Sequence, residues 1–241
     1  MHIQQRELGA ECVDDLTLLG TNADVMATLK LKPLTLVKLR TGVSTLGGSK
    51  VFTPTGGGGA AASDEASIFA SIVRFEKAAD VQQLVATMYA HGSSAGVQEQ
   101  GCLVLILMCA NNADNRVKAG SAGAIQAVVA ALWAHGANAG MQEQGCGALM
   151  NMCFNNADNK VKAGGAGAIE AVVAALGAHG ANAAVQENGC HALANMCWTR
   201  SELRARARAG GAVPVLEAAV AAFKQGPVVE QAQQALSKIK Q

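Results

Sequence analysis

Between Asn111 and Cys197 the chain writes one passage twice, and this repetition limits the fold more than any other feature. Asn-Asn-Ala-Asp-Asn at 111–115 returns at 155–159, and Ala-Gly-Ala-Ile at 122–125 returns at 166–169. Ala-Val-Val-Ala-Ala-Leu at 127–132 returns at 171–176, and Met141-Gln-Glu-Gln-Gly-Cys is answered by Val185-Gln-Glu-Asn-Gly-Cys. Every offset is 44 residues. A period in the forties belongs to stacked helical units, each too thin to bury its apolar face except against its neighbours. The expected fold is all-α, a solenoid of about four units.

Composition decides what such a stack is made of. Half of the residues are hydrophobic but only 3% are aromatic, so the core must be Ala, Val, Leu, Met and Cys. Small side chains suit closely approaching helices. The net charge of +1 gives no reason to expect nucleic-acid binding. The first residues show no apolar run of signal-peptide length, and His2 stands where a myristoylation site needs Gly. The longest apolar run, Cys102 to Ala110, is under half a membrane span. These features point to an intracellular chain, cytoplasmic or nuclear, with no membrane insertion.

Six of the seven cysteines fall into two 44-residue series, Cys102/Cys146/Cys190 and Cys109/Cys153/Cys197. No paired spacing such as CxxC is present, so neither a metal site nor a disulfide framework is expected. Within each pair the gap of seven places both thiols on one helix face, where Cys acts as a small hydrophobe. His91, His135 and His179 recur in Ala-His-Gly, the signature of a helix end with a C-cap glycine and a His suited to the helix dipole.

The units share one design. Ser63-Asp64 signals a helix start, with Ile68, Ile72, Val73 and Phe75 on one face. The next stripe is Val81, Leu84, Val85 and Met88, repeated as Ile125, Val128, Val129, Leu132 and as Ile169, Val172, Val173, Leu176. In the last unit it becomes Val213, Leu216, Glu217 and Val220; a charge in the third slot suits a unit not covered on that side. Each unit reads as a short first helix, a second helix carrying the stripe, a break, and a longer third helix.

These residues resemble armadillo repeats. The matching elements are Gly167-Ala-Ile, Val185-Gln-Glu and Ala192-Leu-Ala-Asn-Met, and likewise Gly123-Ala-Ile, Met141-Gln-Glu and Ala148-Leu-Met-Asn-Met. The resemblance covers residues 65–241, in units of about 64–110, 111–154, 155–198 and 199–241. It implies a right-handed superhelix whose third helices line a concave groove. Residues 1–43 do not follow the repeat. Leu8-Gly-Ala-Glu-Cys-Val-Asp-Asp-Leu-Thr-Leu-Leu, with Leu29-Lys-Leu-Lys-Pro-Leu-Thr-Leu-Val-Lys-Leu, resembles the second half of a sterile alpha motif domain over residues 8–43. Lys30 stands where that family usually has Gly. Residues 44–63, with four glycines at 56–59, read as a flexible linker.

With Met141, Gly145, Cys146, Ala148, Leu149, Met152 and Cys153 assigned to the core, the third helix of the middle unit leaves Glu143, Gly147, Asn151 and Phe154 as one stripe. Its equivalents are Glu187, His191, Asn195 and Trp198 in the next unit, and Glu99, Leu103, Leu107 and Ala110 in the first. The last unit is one residue shorter and supplies Glu230, Gln234, Lys238 and Gln241. The resemblance makes these stripes the floor of the groove. An Asn offers donor and acceptor to an extended backbone, and the glutamates favour a partner with Lys or Arg. Glutamate in a first helical turn is equally a dipole device. Nuclear-import adaptors of the family carry a Trp four residues before the Asn; here that slot holds Leu103, Gly147 and His191, which argues against nuclear-signal binding.

A second ladder lies on the first helices, with Asp114/Lys118, Asp158/Lys162 and Glu202/Arg206 at i,i+4 and Arg116, Lys160 and Arg204 between them. It reads as a solvated face. Arg200, Arg204, Arg206 and Arg208 form a secondary basic patch. The expected function is a noncatalytic protein-interaction scaffold or adaptor, needing no cofactor, that binds an extended segment of a partner. One alternative is an oligomerising regulatory subunit that self-associates through residues 1–43. The remote one is an enzyme or small-ligand sensor: the four glycines at 56–59 precede no Lys-Ser/Thr, so they are no phosphate loop.

Overall fold

The structure, a computed structural model, describes residues 80–241 together with Ser67, Ile68 and Ile72. The expectations for residues 1–43, for the linker at 44–63, for the Ser63-Asp64 cap and for Val73 and Phe75 lie outside the described residues. From Val81 onward the described chain is helical throughout. The first described unit contains α1 (Val81–Ala90) and α2 (Ala95–Cys109). Two full units follow: α3 (Ala113–Ser121), α4 (Ala124–Ala134) and α5 (Ala139–Cys153), then α6 (Ala157–Gly165), α7 (Ala168–Ala178) and α8 (Ala183–Cys197). The last unit is α9 (Ser201–Ala209), α10 (Ala212–Phe223) and α11 (Pro227–Ile239).

Each boundary has a local cause. Asn112 and Asn156 cap α3 and α6, accepting from the backbone N–H of Asn115 and Asn159 at 2.9 Å each. Gly123, Gly167 and Gly211 stand at φ +82°, +80° and +82°, a left-handed conformation that a side chain would strain. That one residue turns the chain through 70° between α3 and α4 and 72° between α6 and α7. Ser94, Asn138 and Asn182 cap the third helices through the N–H of Val97, Met141 and Val185. Pro227 takes over at the first position of α11, where its missing N–H costs nothing.

The predicted stripes are the core. Val81, Leu84, Val85, Met88, Ile125, Val128, Val129, Leu132, Ile169, Val172, Leu176 and Leu216 are buried, while Val173, Val213 and Val220 are half-buried. Glu217, in the charged slot of the last stripe, is exposed and pairs with Lys240 at 2.8 Å. Leu149, Met152, Leu193 and Met196 of the third helices complete a single continuous core. Each such side chain contributes about 1.5–3 kcal/mol on burial. All six repeat-placed thiols are free and buried within it.

Candidate functional site

Successive third helices lie in far closer contact than successive second helices. A stack that is narrower on one side curves toward it, so α2, α5, α8 and α11 form the inner face. The close approach has a sequence cause at Gly147. A Cβ there would lie 2.9 Å from Ile106 Cδ1 on one side and 3.4 Å from Asn188 Nδ2 on the other, so glycine lets α5 sit between α2 and α8. Gly147 and Leu103, which the armadillo resemblance places on the groove floor, are buried in the packing.

The other stripe positions remain at the surface. Glu143, Asn151, Glu187, His191 and Asn195 are half-buried, and Phe154 and Trp198 are 47% and 45% exposed. None of the polar ones is idle. Glu99, Glu143, Glu187 and His191 each engage neighbours within the protein. A Cβ on Gly140 would fall 2.6 Å from Glu99 Oε2, which sets this carboxylate against the first turn of the next third helix, where the helix dipole favours negative charge. Gln144 Nε2 donates to Glu143 Oε1 at 3.3 Å. Asn195 Nδ2 donates across the helix pair to the Met150 carbonyl at 3.1 Å, and Asn151 Nδ2 donates to the Gly147 carbonyl at 3.3 Å. An amide has two N–H donors and an acceptor oxygen, so one internal bond orients each Asn without exhausting it.

Two aromatic rungs carry cations. The Arg116 guanidinium lies 5.7 Å from the centre of the Phe154 ring, and the Lys238 ammonium lies 4.2 Å from that of Trp198. The rungs differ in backbone. Ala110 and Phe154 end their helices extended, at ψ 124° and 122°, and Asn111 and Asn155 follow in the left-handed region at φ 52° and 47°. Trp198 stays helical at ψ −45°, followed by Thr199. Asn tolerates positive φ and a β-branched Thr does not, so replacing Asn-Asn by Thr199-Arg200 reshapes the junction.

The first-helix ladder is solvated at Asp114, Lys118, Asp158, Glu202 and Arg206, but not at two residues between the pairs. Arg116 and Lys160 are only 8% and 6% exposed. Arg116 donates to the Cys109 carbonyl at 2.9 Å. Burial lowers the Lys160 ammonium below the ordinary lysine range, and the nearby Arg200 pushes the same way. Lys162 donates to the Gly120 carbonyl of the preceding unit at 2.9 Å, and Arg206 pairs with Glu170 at 2.5 Å, so both reach across units rather than along their own helix. In the basic patch, Arg208 donates to the Ile239 carbonyl, while Arg200 and Arg204 are half-buried.

The polar ties inside the stack escaped the sequence reading, which took the His series only as helix ends. Gln98, Gln142 and Gln186 are buried, and each Nε2 donates twice: to the Met88, Leu132 or Leu176 carbonyl at 2.7, 2.9 and 2.7 Å, and to the His91, His135 or His179 carbonyl at 3.0, 3.1 and 3.2 Å. They satisfy carbonyls that the end of a second helix leaves without a partner. The signal was present: Gln142 precedes Cys146 by four and Leu149 by seven, so it had to face the core. His135 and His179 join the breaks through Nε2 to the Gly92 and Gly136 carbonyls at 2.8 and 2.7 Å. Buried Asn159 donates to the Arg116 and Met152 carbonyls, both at 2.8 Å.

Among the described residues no group of three or more His, Cys, Asp or Glu side chains is placed to hold a metal. Burial pushes the thiols of Cys109, Cys146, Cys153, Cys190 and Cys197 up to about 12, and raises that of Cys102 as well. They are therefore poor nucleophiles. A small cleft of about 120 Å³ lies between α1 and α4, beside Tyr89 and Ala130.

No protein-family model matches the sequence, and no curated protein is found to be similar to it. Solved structures do match. A designed armadillo repeat protein in complex with the peptide (KR)4 aligns with TM-score 0.61 and 20% identity, over 94% of this chain and 91% of that one. A second designed armadillo repeat protein gives TM-score 0.62 and 20% identity over 94% and 91%. An engineered protein gives TM-score 0.64 and 21% identity over 95% and 90%. The fold is an armadillo-repeat solenoid.

Proposed function

We propose that this armadillo-repeat solenoid is a noncatalytic interaction scaffold or adaptor that holds an extended segment of a partner protein along its third-helix face. Lys or Arg side chains of the segment face Glu143 and Glu187, and Asn151 and Asn195 hold its backbone. The observation that carries this reading is the inner face itself. It presents one glutamate, one amide and one aromatic ring per middle unit, on helices packed side by side. Neighbouring packed helices are about 8–10 Å apart, which spans two to three residues of extended chain at about 3.3 Å each. A periodic surface of this kind suits a chain laid across it. The cleft of about 120 Å³ is small beside the roughly 300–1,000 Å³ of small-molecule sites. The designed armadillo repeat protein solved with (KR)4 adds support, since it has a similar fold and holds a basic peptide.

Fluorescence anisotropy with a labelled (KR)4 peptide tests the reading. Wild type binds, affinity falls steeply with salt, and Asn151→Ala/Asn195→Ala weakens binding about tenfold while the helical circular dichroism is retained. Equal binding by wild type and the double variant would remove the asparagines from the site. No binding to (KR)4 or to other Lys/Arg-containing extended peptides at low salt would sink the groove reading.

A further inference from the structure

The last aromatic rung is occupied by the chain's own cation. Lys238 stands at the rung that Asn151 and Asn195 hold in the middle units, one residue early because the last unit is shorter. Its ammonium lies 4.2 Å from the centre of the Trp198 ring. Among the described residues the ion pairs of this region are Arg206–Glu170 and Lys240–Glu217, and neither involves Lys238. A lysine ammonium set over an indole face without a carboxylate partner is bound weakly and remains exchangeable. The placement coincides with the junction described above: Thr199 does not adopt the left-handed turn of Asn111 and Asn155, Trp198 stays helical, and its ring meets Lys238 of α11.

We propose that the indole face of Trp198 is a recognition site for a Lys or Arg side chain of the bound segment, and that Lys238 holds this site as an exchangeable stand-in. The proposal rests on the groove reading above. A partner cation takes the ring only by displacing Lys238, so the chain sets its own threshold at the C-terminal end of the face. Partners whose cations reach only Glu143 and Glu187 are unaffected by it.

The test uses the full chain carrying Trp133→Phe. Trp133 is 56% exposed on α4, and its removal leaves Trp198 as the sole indole of the two in the sequence. Affinity for labelled (KR)4 and the emission of Trp198 are measured for this protein, for Lys238→Met, which keeps the aliphatic stem, and for Lys238→Arg. Trp198→Ala is combined with Lys238→Met to close the cycle. Lys238→Met is expected to bind about two- to fivefold tighter, with a peptide-induced change in Trp198 emission, while Lys238→Arg stays near the parent. The gain is expected to vanish when Trp198→Ala is present. A gain that persists without the indole reports loss of a positive charge alone and overturns the proposal. Unchanged or weaker binding by Lys238→Met overturns it too, and leaves the groove reading standing. Failure of both the parent and Lys238→Met to bind removes the groove reading and this proposal together.

Discussion

The two middle units and the last unit follow one plan and part company at the same three places. At the break, the middle units run Ala-His-Gly with a buried Gln beneath, whereas the last has Lys224 at φ 61° and Val229 in the Gln position. Before the first helix, the middle units carry Asn-Asn, whereas the last carries Thr199-Arg200 and α9 has no side-chain cap. On the third helix, the thiol columns continue as Gln233 and Lys240. A unit packed on both sides can use polar side chains to tie carbonyls of its neighbours, because burial makes each such bond count. In the last unit Lys224, Gln233 and Lys240 are turned toward solvent instead, and the Gln slot is filled by the apolar, buried Val229. The internal ladders therefore mark where the stack is most tightly specified, and the last unit is where it can vary.

The largest effect that would expose this difference is alkaline unfolding. A thiol whose folded pKa is raised contributes stability that is complete below its unfolded pKa, near 8.5, and is lost as pH rises toward the folded value of about 12. Each buried thiol then costs up to about 1.4 kcal/mol per pH unit. Lys160, lowered by burial, works in the opposite direction, but it is one group against six. Thermal melts should show a steep loss of stability between about pH 8.5 and 11, made shallower by Cys146→Ala/Cys190→Ala. A flat profile over that range would mean the columns are not sealed.

Gln142→Ala is next. It strips the donor from the Leu132 and His135 carbonyls and leaves a gap in the core, so urea melts should show a loss of about 2–3 kcal/mol. Val229→Ala, at the equivalent position of the last unit, should cost about 1 kcal/mol. Equal losses at both positions would erase the distinction between the units. The smallest effect goes the other way. Thr199→Asn/Arg200→Asn gives the last junction the sequence of the middle ones, supplies α9 with a cap, and should stabilise by about 1 kcal/mol. It should also alter the environment of Trp198, read by its fluorescence in the Trp133→Phe background. A stabilised protein whose Trp198 emission is unchanged would show that Thr199 does not position the ring.

The sequence reached far into this architecture, for identifiable reasons. The stripe from Ile125 to Leu132 and its copy from Ile169 to Leu176 fix the buried face of the second helices, because apolar side chains repeat with helical period. The glycines at 123, 167 and 211 mark the sharp turns, because little else accepts φ near +80°. Within the first-helix ladder, Arg116 and Lys160 departed from the solvated reading for a related reason. Spacing of Asp114 and Lys118 predicts a pair along one helix, but Arg116 shares a face with Ala119 and Gly120, which are buried. That face turns inward, and the long side chain reaches the Cys109 carbonyl instead of solvent.

Over residues 80–241, helix number, order, core and turns were thus decided by the sequence, since each depends on residues within a few positions of one another. What crosses from unit to unit was decided only in three dimensions. That Gly147 is covered by Ile106 and Asn188, that Asn195 answers the Met150 carbonyl, and that Lys238 lies over Trp198 all depend on how closely neighbouring helices approach. A repeat period states which residues are equivalent. The distance between equivalent helices follows from packing, and it is that distance which determines whether a polar side chain spends its bonds inside the stack or offers them to another molecule.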